Sequence, residues 1–253
     1  MDLTVLPIKP PKVTRTIDHD HDPRLPDLSN GSCVLHISPP RGGKTTTMCN
    51  LLLNPNMFRD KFESVYVFSS TMTNGDASAR HILEEWPETV FSEYSDGMLQ
   101  SILDFQASFP KDERPPICII FDDFLAFRLP QNSLAFKLAS SFRHYGIALL
   151  YYSSQLYKSV PTVVRQCAHY FLTGQNHNKA EVRKMAEEMS GRFGGEDNFA
   201  SLLEQATRKP YSFLYLDLYS RPATAYENFN TVIYRGPSNG EAPQPISAAG
   251  FEG

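Results

Sequence analysis

The fold is decided by the stretch Cys33-Val-Leu-His-Ile-Ser-Pro-Pro-Arg-Gly-Gly-Lys-Thr-Thr-Thr-Met-Cys49. Its apolar start, Val34 to Ile37, is typical of a buried strand, and the turn formers from Ser38 to Gly43 end that strand. Lys44-Thr45 follows, and then an apolar helical pattern runs through Leu52. A strand, a Gly-rich loop, Lys-Thr and a helix together are the arrangement of a phosphate-binding loop.

Each part of this loop has a chemical role toward a phosphate. Glycines let backbone N–H groups surround phosphate oxygens, and a helix N-terminus favours negative charge. Lys44 is expected to reach the β- and γ-phosphates, and the Thr45 hydroxyl to bind Mg²⁺. The pattern G-x-x-x-x-G-K-[ST] has glycine where this chain has Ser38, so we expect an ordinary backbone conformation there, set by the prolines that follow. The predicted nucleotide-binding residues are Ser38, Pro39, Pro40, Arg41, Gly42, Gly43, Lys44, Thr45 and Thr46.

The composition indicates one substantial α/β domain, since the chain has 253 residues, of which 41% are hydrophobic and 21% charged. Four scattered cysteines without a C-x-x-C motif indicate free thiols in a reducing compartment rather than a zinc site. No apolar run approaches ~18 residues, so we expect a soluble, intracellular protein without a membrane span. The net charge of −4 gives no bulk attraction to nucleic acid, so any DNA contacts must be local, for example around a pore.

The pattern along the chain predicts three parts: an extended arm over residues 1–30, a core domain over 31–235 and a flexible tail over 236–253. In the core, apolar runs alternate with helical patterns, which predicts a mainly parallel sheet covered by helices on both faces. The predicted strands after the first are 64–70, 89–94, 117–121, 147–152, 169–173, 212–217 and an edge strand at 231–234. The predicted helices after the first are 78–86, 96–109, 132–144, 161–167, 178–190 and 199–206.

An acid pair, Asp122 and Asp123, follows the most hydrophobic strand. An acid at the carboxyl end of such a strand can hold the Mg²⁺ shell opposite Thr45, and we assign Asp122 to that role. Asp123 would project toward the γ-phosphate and polarise the attacking water. Two strand–helix units separate the loop from the acids, which leaves room for a strand inserted between them in the sheet, as in hydrolytic motor ATPases. The alternative interpretation is an acidic turn after a core strand.

Gln155 stands just past the next strand, where an amide can hydrogen-bond both the water and a γ-phosphate oxygen. A solvated loop amide is the alternative. Two arginines, Arg143 before that strand and Arg165 after it, are expected near the same edge and are candidates for a charge-stabilising finger. For each of them a surface salt bridge is the competing interpretation.

Together these residues resemble the genome-packaging ATPases of nucleocytoplasmic large DNA viruses, iridovirus- and poxvirus-type, and of virophages, in the FtsK–HerA superfamily. The resemblance covers roughly residues 30–235. Its motifs are Ser38–Thr45, Val65–Ser70, Ile117–Asp123, Arg143–Ile147 leading into Ser154-Gln155, and Val160-Pro161 with Arg165.

The resemblance implies a P-loop NTPase fold of the RecA-like, ASCE type, a three-layer α/β sandwich. It implies ATP and Mg²⁺ as cofactors, a ring homo-oligomer (a pentamer or hexamer), and double-stranded DNA and capsid or vertex proteins as partners. The implied activity is ATP hydrolysis that drives DNA into a preformed capsid. The implied location is the host cytoplasm, at the viral factory, or the virion.

Two other classes of function stay open on the sequence alone. A nucleoside or nucleotide kinase shares the first loop, but the region from Asn178 to Arg192 mixes Lys and Arg with Glu instead of forming an Arg-rich lid. A non-catalytic nucleotide-bound assembly protein is the third class, with Ser38 as the mark of a decayed loop. Intact Lys44, Thr45 and acid pair argue against decay.

Two further patterns concern contacts with DNA and with a metal ion. DNA-contact candidates are Lys158 on the loop after Gln155, and Lys179, Arg183 and Lys184 on a charged helix whose other interpretation is a solvated face. The run Asp18-His-Asp-His-Asp22 could bind a divalent metal, with a polar turn as the alternative.

Overall fold

Six adjacent parallel strands form the larger part of a nine-stranded sheet in the computed structural model, which describes residues 22–72 and 79–237. The parallel strands are β1 (Ser32–Ile37), β2 (Ser64–Ser69), β3 (Val90–Phe91), β4 (Ile117–Asp122), β5 (Ile147–Ser154) and β6 (Tyr170–Gly174). Three antiparallel strands extend one side: β7 (Phe213–Asp217), β8 (Thr224–Glu227) and β9 (Thr231–Arg235). The strand order is β3-β2-β4-β5-β1-β6-β7-β8-β9.

The inserted strand expected between the phosphate loop and the acid pair is β5, which lies between β1 and β4. Strands β1, β4 and β5 are buried along their whole length, as expected for the middle of a parallel sheet covered on both faces. Because the three strands run in the same direction, their carboxyl ends meet at one edge of the sheet. We call this the carboxyl edge.

Helices cover both faces, which confirms the predicted three-layer α/β fold. Alternate side chains of β1 show the division: Val34 belongs to one hydrophobic cluster, and Leu35 and Ile37 belong to the other. The first cluster packs against α1 (Lys44–Leu53) and α2 (Arg80–Glu85). The second packs against α3 (Asp96–Ala107), α4 (Leu134–Lys137), α5 (Thr162–Cys167), α6 (Lys179–Met189) and α7 (Glu196–Ala206).

The single helix predicted over 132–144 is wrong. The segment forms the short α4, then a 3₁₀ turn over Leu138–Ser140 and another over Phe142–Tyr145. Two hydrogen bonds explain the break: the buried Tyr152 hydroxyl donates to the Ala135 carbonyl, and Ser140 Oγ donates to the Lys137 carbonyl at 2.8 Å. Side chains thus occupy carbonyls that would otherwise continue the helix.

The sequence also missed β8, because its four residues are too few for a reliable alternation pattern. Strand β9 is confirmed as an edge strand. Of the predicted arm, only residues from 22 onward are described, and Leu25 and Leu28 in this part are buried against the sheet. Residues 18–21 of the Asp-His run, and the predicted tail from 238 onward, lie outside the described residues. Within the described ranges, each helix is too short or too polar to cross a bilayer.

An aromatic stack links the four strands on the β3 side of the sheet. The ring of Phe121 on β4 lies between Phe68 on β2, at 5.3 Å between centroids, and Tyr152 on β5, at 5.1 Å. Phe91 on β3 continues the stack from Phe68 at 5.2 Å. Because Phe121 is fully buried immediately before the acid pair, the stack holds the carboxyl end of β4 in place.

We therefore predict that Phe121→Ala lowers the free energy of unfolding by about 3–5 kcal/mol, because it leaves a cavity between two rings. The matched control is Phe105→Ala, whose side chain on α3 is 56% exposed, and it should cost less than about 1 kcal/mol. Urea unfolding followed by circular dichroism measures both. Equal losses for the two variants would contradict the role given to the stack.

Candidate nucleotide site at the carboxyl edge

The phosphate loop joins the end of β1 to the first residue of α1 through a tight turn. Gly42 N–H donates to the Pro39 carbonyl at 3.0 Å, and a Cβ on Gly42 would lie 2.9 Å from that carbonyl oxygen. Arg41 and Gly43 have left-handed φ angles of 61° and 87°. The loop therefore contains one hydrogen-bonded turn and two residues with left-handed backbone, and a side chain on Gly42 would not fit.

Ser38 replaces the loop's first glycine without strain, because its φ is not positive. The residue is fully buried, and its Oγ accepts a hydrogen bond from the Gly174 N–H at 2.9 Å. The same hydroxyl lies 3.1 Å from His36 Nε2. Ser38 therefore links the end of β1 to the end of β6, as a glycine could not.

His36 extends this link into the sheet, since its Nδ1 lies 2.6 Å from the Tyr151 hydroxyl on β5. Burial, aided by the nearby positive charge of Lys44, lowers the pKa of His36 to about 3. The imidazole is therefore neutral near pH 7, with one nitrogen that donates and one that accepts. The sequence did not single out this residue, which lies inside an apolar run.

Lys44 connects the loop to the acid pair. Its Nζ donates to the Ser38 carbonyl at 3.0 Å and lies 3.5 Å from Asp123 Oδ1. The side chain is only 8% exposed, so this ion pair is poorly screened by water. Asp123 has a left-handed φ of 44°, an uncommon conformation for a non-glycine residue, and its Oδ1 is buried without a hydrogen-bond donor among the described residues. Apart from the ion pair, this oxygen is available to a ligand.

Asp122 is held by two hydroxyls from the neighbouring strands. Ser153 Oγ on β5 donates to its Oδ1 at 2.6 Å, and Ser69 Oγ on β2 donates to its Oδ2 at 2.9 Å. Burial and the charge of Asp123 raise the pKa of Asp122 above its ordinary value, although the two hydroxyls oppose the shift. A bound cation would reverse that shift. The sequence missed both serines; the available signal was a small hydroxyl residue at the end of each strand that flanks β4.

Gln155 completes the cluster, since its Nε2 donates to Asp123 Oδ2 at 3.3 Å. The structure thus brings Lys44, Asp123 and Gln155 together, with Asp122 adjacent. Of the remaining loop residues, Thr45 is half-buried in the first turn of α1, while Pro40, Arg41 and Thr46 are exposed and Pro39 is half-buried.

The two arginines do not join this cluster within the subunit. The expectation that Arg143 lies near the same edge is wrong, because it precedes the first residue of β5 while Gln155 follows the last, and the strand separates them. Arg143 instead contacts His169, which precedes β6. Arg165 pairs with Glu188 at 2.8 Å, donates to the Val160 carbonyl at 2.6 Å, and has a side chain only 10% exposed.

The DNA-contact candidates on α6 are mostly paired within the helix. Arg183 lies 3.1 Å from Glu187, and Lys184 lies 3.1 Å from Glu188, each at i,i+4 spacing. These contacts favour a solvated helix face for that pair of residues. Lys179 is exposed in the first turn of α6, and Lys158 is exposed on the loop after β5.

The donor set fits a magnesium nucleotide. Mg²⁺ is usually held by one or two carboxylates together with phosphate oxygens, so Asp122 and Thr45 suffice and a larger protein cage is not needed. In keeping with this, the described residues contain no group of three or more His, Cys, Asp or Glu side chains arranged for a metal ion. The space at Gly42 and Gly43 suits a phosphate that approaches the backbone closely. The buried Oδ1 of Asp123 can accept a hydrogen bond from a water.

A cavity of about 490 Å³ opens beside Gly43. Its walls include Asn50 of α1, Tyr211 before β7, and Asn228 and Phe229 from the β8–β9 turn. Tyr211 is 75% exposed and holds a left-handed φ of 65°. An exposed aromatic ring in this conformation, next to a phosphate loop, is suited to stacking on a planar ring. No sequence signal marked these residues, because they come from distant segments.

We predict that Gly174→Ala lowers the free energy of unfolding by about 1–3 kcal/mol, because the added Cβ would lie 2.7 Å from the buried Ser38 Oγ. Adding Ser38→Gly removes the obstructing side chain and should recover part of the loss. Gly191→Ala is the matched control, with no atom within 4 Å of its added Cβ. Urea unfolding measures these three variants and Ser38→Gly alone, and purely additive losses in the double variant would contradict the proposed clash.

A second prediction concerns pH. Because the folded pKa of His36, about 3, is below its unfolded value of 6.5, the unfolded chain binds more protons between these values. Stability is therefore full above pH 6.5 and falls as the pH drops toward 3. His36→Gln should reduce this slope by up to about 1.4 kcal/mol per pH unit. Urea unfolding at several pH values measures the slope, and an unchanged slope would contradict a neutral, buried His36.

No protein-family model and no curated protein sequence matches the chain. Solved structures do match. The genome-packaging NTPase B204 from Sulfolobus turreted icosahedral virus 2, in complex with AMPPCP, has a TM-score of 0.56 and 13% identity, over 78% of this chain and 97% of that one. B204, the DNA-packaging ATPase from Sulfolobus Turreted Icosahedral Virus, has a TM-score of 0.55 and 16% identity over 78% and 97%. At these identities the likeness establishes the architecture alone: the chain shares the α/β fold of these two B204 structures.

Proposed function

We propose that this protein is an ATPase that uses hydrolysis at the carboxyl edge to move double-stranded DNA into a viral capsid. The observation that carries the proposal is the cluster of Lys44, Asp123 and Gln155, with Asp122 held beside it by two serines. Its fold likeness to B204, whose structures include complexes with AMPPCP and ATP-gammaS, supports the nucleotide assignment. The DNA and capsid partners rest on that likeness and on the sequence resemblance.

In this proposal the loop from Ser38 to Thr45 binds the phosphates through its backbone N–H groups, and Lys44 contacts the β- and γ-phosphates. Thr45 and Asp122 would hold Mg²⁺, which neutralises charge that develops on the phosphates. Ser69 and Ser153 orient the Asp122 carboxylate for that role. Lys44 must exchange its contact with Asp123 for the phosphates when the nucleotide binds.

That exchange frees Asp123 for catalysis. Its Oδ1, buried and without a hydrogen-bond donor among the described residues, can then accept a proton from the attacking water. Gln155 holds the other oxygen of the same carboxylate, and its amide oxygen remains available to the water. Asp123 therefore acts as the general base. Gln155 holds the Asp123 carboxylate in position and can hydrogen-bond a γ-phosphate oxygen, so its contacts depend on whether the γ-phosphate is present.

The cavity beside Gly43 is suited to the nucleobase. Its walls before β7 and at the β8–β9 turn lie on the other side of β1 from β4 and its acid pair, and Tyr211 provides a face for stacking. Amides from Asn50 and Asn228 are partly committed, since Asn50 Nδ2 donates to the Thr46 carbonyl and Asn228 Oδ1 accepts from the Phe213 N–H. The cavity therefore favours a flat aromatic base more strongly than it specifies one base.

In a ring of identical subunits, a neighbouring subunit could supply the arginine that stabilises charge on the γ-phosphate. Arg143 is exposed, so it remains a candidate finger for a neighbouring subunit's site. Arg165 is a weaker candidate, because it would have to leave its ion pair with Glu188 and its contact with the Tyr157 ring, whose centroid lies 5.2 Å away.

We predict that wild-type protein hydrolyses ATP only with Mg²⁺, and that Asp123→Asn lowers kcat by about 10²–10⁴-fold because the general base is lost. This variant should still bind nucleotide, since Asp122 carries the metal. Lys44→Ala should lose nucleotide binding. Asp112→Asn, on an exposed loop, is the matched control for an acid-to-amide change. Phosphate release and binding of a fluorescent ATP analogue measure these effects.

Two outcomes would contradict this function. Transfer of phosphate to an added nucleoside, in place of release to water, would identify a kinase. Absence of hydrolysis by the wild type, both with and without duplex DNA, would leave a nucleotide-bound assembly protein. Loss of nucleotide binding in Asp123→Asn, with binding retained in Asp122→Asn, would reverse the roles of the two acids.

A further inference from the structure

A second cleft lies beside the acid pair, on the side away from the phosphate loop. Its volume is about 470 Å³. One wall is the 3₁₀ turn Phe124–Phe127 with Arg128, and the other is the loop from Lys158 to Thr162. The floor is apolar and includes Phe136 and Val160. We call this the basic cleft.

The chemistry of the basic cleft suits an anion. Arg128 and Lys158 are exposed on opposite walls, and Gln131, Ser159 and Thr162 add an amide and two hydroxyls. Among the described residues, those that line it include no aspartate or glutamate. Arg165 also contributes, but its charge is balanced by Glu188. In a protein with a net charge of −4, two exposed cations on opposite walls of a cleft, neither in an ion pair with another described residue, form a local positive site.

Both walls start at catalytic residues. The first wall continues directly from Asp123, and the second follows Gln155 along the chain. The hydrogen bond between these two side chains joins the two segments beside the proposed nucleotide site. The first residue of the second wall is fixed to α6, since the Lys158 N–H donates to the buried Glu181 carboxylate at 3.1 Å. Because Lys158 is held in this way, a change at the γ-phosphate that moved Asp123 and the turn after it would alter the spacing between Arg128 and Lys158.

We propose that the basic cleft binds the phosphodiester backbone of duplex DNA and that Arg128 and Lys158 make the contacts. This inference rests on the proposed function and names the surface through which that function engages its partner. Arg, Lys, Ser, Thr and Gln are the side chains that contact phosphates in protein–DNA complexes, and the cleft contains all five types. A backbone contact without base readout also suits a protein that must move along any sequence.

The competing occupant is the acidic surface of a second copy of this chain. Such a contact would consume both cations at a subunit boundary. The hydroxyls and the amide favour phosphate oxygens, since they add neutral hydrogen-bond donors beside the charges. The two occupants differ in a measurable way, because only DNA binding depends on counterion release from a polyanion.

The test measures binding of a fluorescein-labelled, mixed-sequence duplex by anisotropy over a range of salt, with Mg²⁺ and AMPPCP present. We expect the double variant Arg128→Ala/Lys158→Ala to lower the slope of log K against log salt by about 2 units, since each lost phosphate contact removes about 0.9. The charge-conserving variant Arg128→Lys/Lys158→Arg should keep the wild-type slope. Lys111→Ala/Lys209→Ala removes the same charge from exposed positions outside the cleft and should also keep it.

The outcomes separate this inference from the proposed function. A wild type that binds DNA, together with an unchanged slope in the alanine double variant, overturns the cleft assignment and leaves the function standing. A wild type that binds no DNA at any salt overturns both. Sedimentation of the same samples identifies the competing occupant: loss of self-association with an unchanged slope would place a second copy in the cleft and overturn the DNA assignment. Thermal unfolding of each variant confirms that it is folded.

Discussion

The contact on which the site depends is the ion pair between Lys44 and Asp123, 3.5 Å apart at the carboxyl edge. It joins two segments that are distant in the sequence: the loop after β1 and the turn after β4. Strand β5 lies between them, so the two side chains bridge the width of one strand. A cation and an anion placed this close, in a site only 8% and 19% exposed, form a charge-balanced pocket that a metal-bound triphosphate can enter by exchange.

The two acids at this edge are held in conditions that cost folding free energy. Asp122 is buried with a raised pKa, and Asp123 has a left-handed backbone. Both features are unfavourable in the protein alone, and the proposed cation and phosphate would relieve or use them. The strands that carry these acids and the phosphate loop are held by several contacts. Ser38 and His36 link β1 to its neighbours, and the aromatic stack fixes the end of β4. The carboxyl edge thus carries two acids in unfavourable conformations or surroundings on a rigid sheet.

The sequence predicted the parts of this site that depend on strand direction. A buried strand followed by a Gly-rich loop, and another followed by two acids, must meet at one edge if the strands are parallel, so the proximity of Lys44 and Asp123 could be derived. Interactions between distant segments could not: Ser69 and Ser153 are ordinary strand residues until the strand order places them beside Asp122. Tyr211 was missed for the same reason. Arg143 was misplaced because closeness to Gln155 in sequence ignores the full length of β5 between them. The broken helix over 132–144 followed from a hydroxyl on another strand, which local periodicity does not contain.

The most direct test of this account is a crystal structure of the protein with Mg²⁺ and AMPPCP. The account predicts that Lys44 Nζ leaves Asp123 and contacts the β- and γ-phosphates, that Mg²⁺ lies between Thr45 and Asp122, and that Asp123 Oδ1 faces a water next to the γ-phosphate. A nucleotide bound elsewhere, or one bound at the loop while Lys44 keeps its contact with Asp123 and the metal lies away from Asp122, would contradict it.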